Sequence, residues 1–291
     1  MLRFSSFVAI DWSGAKGARP RGIALARARA DAPVELIEPA HGLGWSRAEV
    51  LAFIEEEAAR GADTLIGFDL SPTLPWCDAQ SYFPGWAEAP DTPRDLWALV
   101  EALCADESDL TALGLVDAPH LSPYFRRHGG REGALFGGGI GRLRVVEHHQ
   151  RASGQARSAS CFNLVGAAQV GKASLSGMRL FHRLAGRVPF WPFDPLPSRG
   201  PVIVEIYTSL AARAAGLPPS RSKVRDHAAL REALAKLGAR TDWQGPLDDH
   251  RADALITAAW LRAVADTPAL WHPAPMTAEV AAREGWTFGI T

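Results

Sequence analysis

The chain has 291 residues, of which 47% are hydrophobic, enough to build a sizeable core in one large or two small domains. Its net charge of -1 does not by itself indicate a partner. No apolar stretch approaches the roughly 20 residues that span a bilayer, and the first apolar run is too short for a signal peptide, so neither export nor membrane insertion is expected. The three cysteines are widely spaced, which predicts neither a disulfide framework nor a zinc site and favours a reducing cytoplasm.

The first apolar run predicts a short buried strand from Phe7 to Ile10 that ends at Asp11. Open α/β sheets place their binding sites beyond the C-terminal ends of their strands, so a carboxylate at this position is a candidate for function. An aspartate that only starts a turn is the alternative. Three further acids stand in similar settings far along the chain, namely Asp69, Glu205 and Asp253.

The elements after Asp11 predict a meander followed by a helix and a strand. Gly22–Ala26 and Val34–Ile37 are expected to be strands. Ser46 and Glu49 form a capping-box pattern at the start of a helix, and the strand Thr64–Asp69 follows it. Helix and strand then alternate, which is typical of parallel pairing.

Residues 71–200 differ from the rest of the chain and are expected to be an insertion, because Pro-rich and Trp-rich segments edge them. Within them, Arg94–Leu103 and Gly177–Leu184 are predicted helices. Between His120 and Phe190, eleven Lys and Arg residues stand against two acids, which suggests an anionic partner such as nucleic acid. An ordinary solvated Arg-rich surface is the alternative. The candidate contacts to a nucleic-acid backbone are Arg126, Arg127, Arg142, Arg144, Arg157 and Lys172.

Glu205 lies inside the apolar run Val202–Tyr207, which predicts another buried strand. An unpaired ionised group there would cost several kcal/mol, so Glu205 needs a partner. A salt bridge to an arginine and a role beside a metal ion both meet that need.

The predicted helix from Asp248 to about Val264 carries the last acids. Asp248 is expected to cap the helix. Asp249 and His250 share a helix face with Asp253, and the alanines around Asp253 are small enough for the helix to approach a sheet closely. Repulsion between Asp249 and Asp253 is unfavourable in an isolated helix, and a divalent cation would reverse its sign.

The order of these motifs resembles that of the family catalogued as domain of unknown function 429, predicted nucleases of the ribonuclease H-like superfamily. Its end-of-chain motif, Asp-Asp-His-x-x-Asp-Ala-Leu from Asp248 to Leu255, is also similar to that of RuvC-type junction resolvases. The resemblance implies an α/β fold with a mixed five-stranded sheet flanked by helices. It implies a core formed by residues 1–70 and 201–291, with the large insertion at 71–200 after the fourth strand.

The resemblance further implies that Asp11, Asp69 and Asp253 hold Mg²⁺ or Mn²⁺, with Glu205 and Asp249 or His250 as additional or supporting groups. Hard divalent cations take oxygen ligands and promote phosphodiester hydrolysis. The expected activity is therefore a metal-dependent nuclease acting on DNA or RNA. An actin-like or sugar-kinase ATPase, with Asp11-Trp12-Ser13-Gly14 as a phosphate loop, and a non-catalytic nucleic-acid-binding protein of the same fold are the alternatives.

Overall fold

A computed structural model of the chain describes residues 3–156, 158–166, 170–218 and 223–291. Its strands form one mixed sheet in the order β3-β2-β1-β4-β6-β5. Their bounds are β1 Ser6–Asp11, β2 Ala24–Arg29, β3 Glu35–Ile37, β4 Thr64–Phe68, β5 Phe190–Trp191 and β6 Val202–Glu205. β2 is antiparallel to β1 and β3, whereas β1, β4, β6 and β5 are mutually parallel.

The prediction of an α/β fold with a mixed sheet flanked by helices is confirmed, but the number of strands was wrong. The sheet has six strands rather than five, because β5 pairs with β6 through Phe190 and Ile203. A strand of two residues is too short to show an alternating pattern in the sequence. It also lies within residues 71–200, so part of the expected insertion belongs to the sheet.

Helices cover both faces of this sheet. They are α1 Arg47–Ala59, α2 Pro93–Leu103, α3 Leu113–Asp117, α4 Val145–Ala152, α5 Gly171–Leu184, α6 Thr208–Ala214, α7 His227–Lys236, α8 Asp249–Val264, α9 Pro268–Trp271 and α10 Ala278–Arg283. The predicted capping box of α1 is present, with Ser46 and Glu49 bonded to each other's backbone amides. α5 begins at Gly171, well before the predicted start at Gly177. Gly177 lies inside the helix, where the absence of a side chain lets the helix pack against Leu70.

Alternation along the strands divides the core into two layers. The residues of one face pack with α6, α7 and α8; they include Phe7, Ala9, Leu65, Val202 and Val204. The residues of the other face pack with α1, α2 and α5; they include Val8, Ile10, Ile66, Phe68 and Ile203. Residues 71–200 therefore share a hydrophobic core with the sheet.

The C-terminal residues pack back onto the body of the protein. Trp286, Phe288 and Ile290 are buried, and the Phe288 amide donates a hydrogen bond to the Glu205 carbonyl. Among the described residues, no helix combines the length and apolar character needed to cross a bilayer.

Candidate functional site

Asp11 and Asp69 lie side by side at the C-terminal ends of two neighbouring parallel strands. Ile10 of β1 is level with Phe68 of β4, and the Asp69 amide donates a hydrogen bond of 3.0 Å to the Ile10 carbonyl. Asp11 follows Ile10, and Asp69 follows Phe68. Because successive side chains of a strand point to opposite faces of the sheet, both carboxylates point to the face covered by α8.

α8 carries the remaining acids to the same place. Buried alanines, among them Ala252 and Ala258, let this helix lie close to β1 and β2. The ring nitrogen Nδ1 of His250 is 2.9 Å from Oδ2 of Asp11. Asp253, one turn further along the helix, is only 8% exposed. We call Asp11, Asp69, Asp249 and Asp253 the acid cluster.

Two residues that the sequence did not single out complete the surroundings of the acid cluster. Thr208, at the start of α6, donates to Asp69 from its hydroxyl at 3.2 Å. The Lys223 ammonium lies 3.1 Å from Asp253 and 3.3 Å from Asp249. Neither position belongs to a periodic pattern or a known motif, so only the three-dimensional structure shows its role.

Burial and mutual repulsion shift three carboxyl groups of the acid cluster, those of Asp11, Asp69 and Asp253, towards the protonated form. At Asp249, burial is outweighed by the charge of Lys223 together with hydrogen bonds, so the pKa of Asp249 is lowered. Burial, with the charges of Asp11 and Asp253, raises the pKa of Asp69 to about 8, although Thr208 opposes the rise. Burial raises the pKa of Asp253 to about 6 against the opposing charge of Lys223. Burial also raises the pKa of Asp11, and the hydrogen bond with His250 reduces this rise without cancelling it. The same hydrogen bond raises the pKa of His250.

These shifts predict that the metal-free protein loses stability as pH rises. A carboxyl group with a raised pKa binds a proton more tightly in the folded chain than in the unfolded one, so proton binding adds to the free energy of unfolding. This stabilisation is present near pH 4. It is lost by about pH 6 for Asp253 and by about pH 8 for Asp69. The raised pKa of His250 acts in the same direction. We expect the melting temperature in EDTA to fall by at least about 5 °C between pH 5 and pH 8.5.

Asp69→Asn should flatten that dependence, because it removes a carboxyl group whose pKa is raised to about 8. Thermal melts of both proteins across the pH series provide the measurement. An equal slope in wild type and Asp69→Asn would contradict the assignment of the effect to the acid cluster.

Glu205 does not join the acid cluster, contrary to the expectation that it supports a metal ion. β6 places Glu205 level with Phe68 rather than with Asp69, so its side chain points to the opposite face of the sheet. There its carboxylate accepts hydrogen bonds of 2.6 and 2.8 Å from Arg144 and one of 2.7 Å from Thr287. The salt-bridge alternative for Glu205 is the one that the structure shows.

Arg142 and Arg144 are not placed to bind a nucleic-acid backbone, contrary to expectation. The Arg144 side chain is only 1% exposed and is bonded to Glu205 and Glu147. The Arg142 side chain is 12% exposed and forms a salt bridge with Asp78, together with hydrogen bonds to three carbonyl groups. Both guanidinium groups hold the fold together.

The other basic candidates are scattered. Arg127 is paired with Asp117, and Arg126 lies 3.9 Å from Glu132. Lys172 is exposed at the start of α5. Arg157 lies outside the described residues. Further arginines of the segment are paired with acids elsewhere in the chain, in the salt bridges Arg179–Glu101, Arg183–Glu101 and Arg187–Glu55. Much of the local excess of positive charge is therefore neutralised within the protein.

A cleft of about 420 Å³ opens beside the strand ends. Asp69, Thr208 and Lys223 line it, together with Tyr207 and Ser209. Gly14, in the loop after Asp11, packs against the backbone of Lys172 and Ala173, where a side chain would clash. Close packing therefore accounts for this glycine without a bound phosphate.

Among the described residues, no group of three or more His, Cys, Asp and Glu side chains is arranged as a ready-made metal site. Comparisons with protein-family models, with curated proteins and with solved structures find no match to this chain.

Proposed function

We propose that the protein is a metal-dependent nuclease that hydrolyses phosphodiester bonds at the acid cluster. The observation that carries this proposal is the meeting of Asp11, Asp69 and Asp253, from three distant parts of the chain, at one edge of the sheet. Burial, together with the charges of Asp11 and Asp253, raises the pKa of Asp69 to about 8. Strongly perturbed carboxyl groups beside a cleft are typical of functional sites.

The strand order supports the further proposal of a ribonuclease H-like fold with residues 71–200 as an insertion. A meander of β1, β2 and β3 is followed by α1 and by the parallel strands β4 and β6, and α8 packs against the meander. This succession is the one that the resemblance to the domain of unknown function 429 family leads us to expect.

The side chains present fit a hard divalent cation such as Mg²⁺ or Mn²⁺, because the acid cluster offers carboxylate oxygens. Asp11, Asp69 and Asp253 would hold it. A bound ion would supply an activated water molecule and stabilise the leaving oxygen of a phosphodiester. Lys223 contacts Oδ2 of Asp253, so the carboxylates would have to rearrange around that lysine to enclose an ion.

Other side chains of the chain have parts in the proposed activity. His250, held by Asp11 through Nδ1, retains a second ring nitrogen that can exchange a proton. Thr208 fixes the orientation of Asp69. The cleft beside them would receive the scissile phosphodiester of a DNA or RNA substrate.

Asp69→Asn tests the proposal. We expect the variant to lose at least about 100-fold of the Mn²⁺-dependent cleavage of labelled single-stranded and duplex DNA and RNA, since a neutral amide is a poor ligand for a hard cation. Asp242→Asn, a change of the same kind at an exposed position, is the matched control and should keep full activity. Cleavage that is absent in wild type, or that survives in Asp69→Asn, would refute the proposal.

A further inference from the structure

Lys223 makes an unusual contact for a lysine. Lysine side chains commonly lay their methylene stem on the protein and extend the ammonium into water. The Lys223 side chain is 56% exposed, yet its ammonium is directed inward and contacts Asp253, whose side chain is 9% exposed. The positively charged ammonium of Lys223 therefore lies within the acid cluster, although much of the side chain is exposed.

Positive charge is distributed unevenly over the acid cluster. Lys223 contacts both Asp249 and Asp253, and Arg225 lies 3.7 Å from Asp249. Both cations therefore form ion pairs with the acids of α8. In the contacts of the described residues, the strand acids Asp11 and Asp69 meet His250 and the uncharged Thr208.

From this geometry we infer that the site takes one divalent cation at the strand acids and uses the Lys223 ammonium in place of a second one. The inference rests on the proposed nuclease function and specifies the number of metal ions at its site. Lys223 contacts Oδ2 of Asp253, which leaves Oδ1 of that residue for the ion beside Asp11 and Asp69.

The position of Lys223 also suits a contact with substrate. Lys223 lines the cleft together with Asp69 and Thr208, so its ammonium borders the space that a phosphodiester would enter. An ammonium is a compact point charge that exchanges a carboxylate oxygen for a phosphate oxygen readily, unlike a bidentate guanidinium. Lys223 would then neutralise the phosphate on the side of the cluster that lacks a metal ion.

The experiment counts Mn²⁺ ions by isothermal titration calorimetry and by electron paramagnetic resonance of free Mn²⁺. We expect wild type to bind one ion per chain. Lys223→Met removes the charge and keeps the length of the side chain, so it should bind a second ion or bind the first at least about tenfold more tightly. Lys223→Arg keeps the charge and should bind like wild type.

Lys236→Met is the matched control, because Lys236 is an exposed lysine paired with Glu232 on α7, and it should also bind one ion. Circular dichroism of each variant verifies folding, which a change at a largely exposed side chain should preserve. Two ions in wild type, or unchanged binding in Lys223→Met, would overturn the inference and leave the nuclease proposal standing. Absence of Mn²⁺ binding in both proteins would refute the nuclease proposal and the inference together.

Discussion

Arg144→Met should destabilise the protein by about 3 to 5 kcal/mol and lower its melting temperature by roughly 10 °C. The Arg144 side chain is 1% exposed and donates hydrogen bonds to Glu205, Glu147 and Ser71. Burial lowers the pKa of Arg144, but the carboxylates of Glu205 and Glu147 outweigh burial and raise it well above its usual value. Its removal would leave both acids buried without their cation.

Arg144 joins distant parts of the fold, which adds to the expected loss. Arg144 is the N-cap residue of α4, contacts Glu205 at the end of β6 and donates a hydrogen bond of 3.1 Å to the Glu284 carbonyl. The Glu284 carboxylate in turn accepts hydrogen bonds from the amides of Trp76 and Val145. These contacts connect residues 71–200 with the sheet and with the C-terminal segment.

Urea unfolding of Arg144→Met and of Arg183→Met provides the measurement. Arg183 forms a salt bridge with Glu101 but its side chain is 42% exposed, so its loss should cost less than about 1 kcal/mol. Adding Glu205→Gln to Arg144→Met should recover part of the loss, because one of the two unpaired charges is removed. Equal effects of the two arginine substitutions would show that the buried network contributes no special stability.

The parts of the site that could be predicted from the sequence were those set by local pattern. The positions of Asp11 at the end of β1 and of Asp69 next to the end of β4 followed from apolar runs that stop at an acid. Asp248 caps α8 as expected, since its side chain accepts a hydrogen bond from the Arg251 amide. These features depend on neighbouring residues, which a sequence displays directly.

The parts that could not be predicted depend on contacts between distant segments. Glu205 and Asp69 both come at the end of buried strands, but the register between β4 and β6 places Glu205 level with Phe68 and so on the other face. A shift of one residue reverses the direction of every side chain in a strand. The sequence of a single strand does not specify its register with a neighbour that lies far along the chain.

The same limit applies to the arginines of residues 71–200. A local excess of positive charge predicts an anionic partner only if the charges remain free at the surface. Arg142 pairs with Asp78 and Arg187 with Glu55, and both acids precede the stretch from His120 to Phe190 in which the excess of positive charge was counted. Charge counted along a window of sequence therefore overstates the charge that the folded surface offers to nucleic acid.

Asp253→Asn should abolish metal-dependent cleavage while leaving the metal-free protein as stable as wild type or more stable. Asp253 repels Asp11 and Asp69, and burial raises its pKa to about 6, so at pH 7.5 its negative charge opposes folding in the absence of metal. Its cationic partner Lys223 is 56% exposed and can be solvated, unlike the buried Arg144.

Thermal melts at pH 7.5 in EDTA and in Mg²⁺ separate the effect of Asp253→Asn on stability from its effect on metal binding. Wild type should gain roughly 5 to 10 °C from Mg²⁺ at a hundred times its dissociation constant, and the variant should gain almost nothing. Asp242→Asn should behave like wild type in both buffers. A sharp fall in the metal-free melting temperature of Asp253→Asn would instead show that Asp253 forms a structural salt bridge with Lys223. It would contradict a catalytic role for Asp253 on α8.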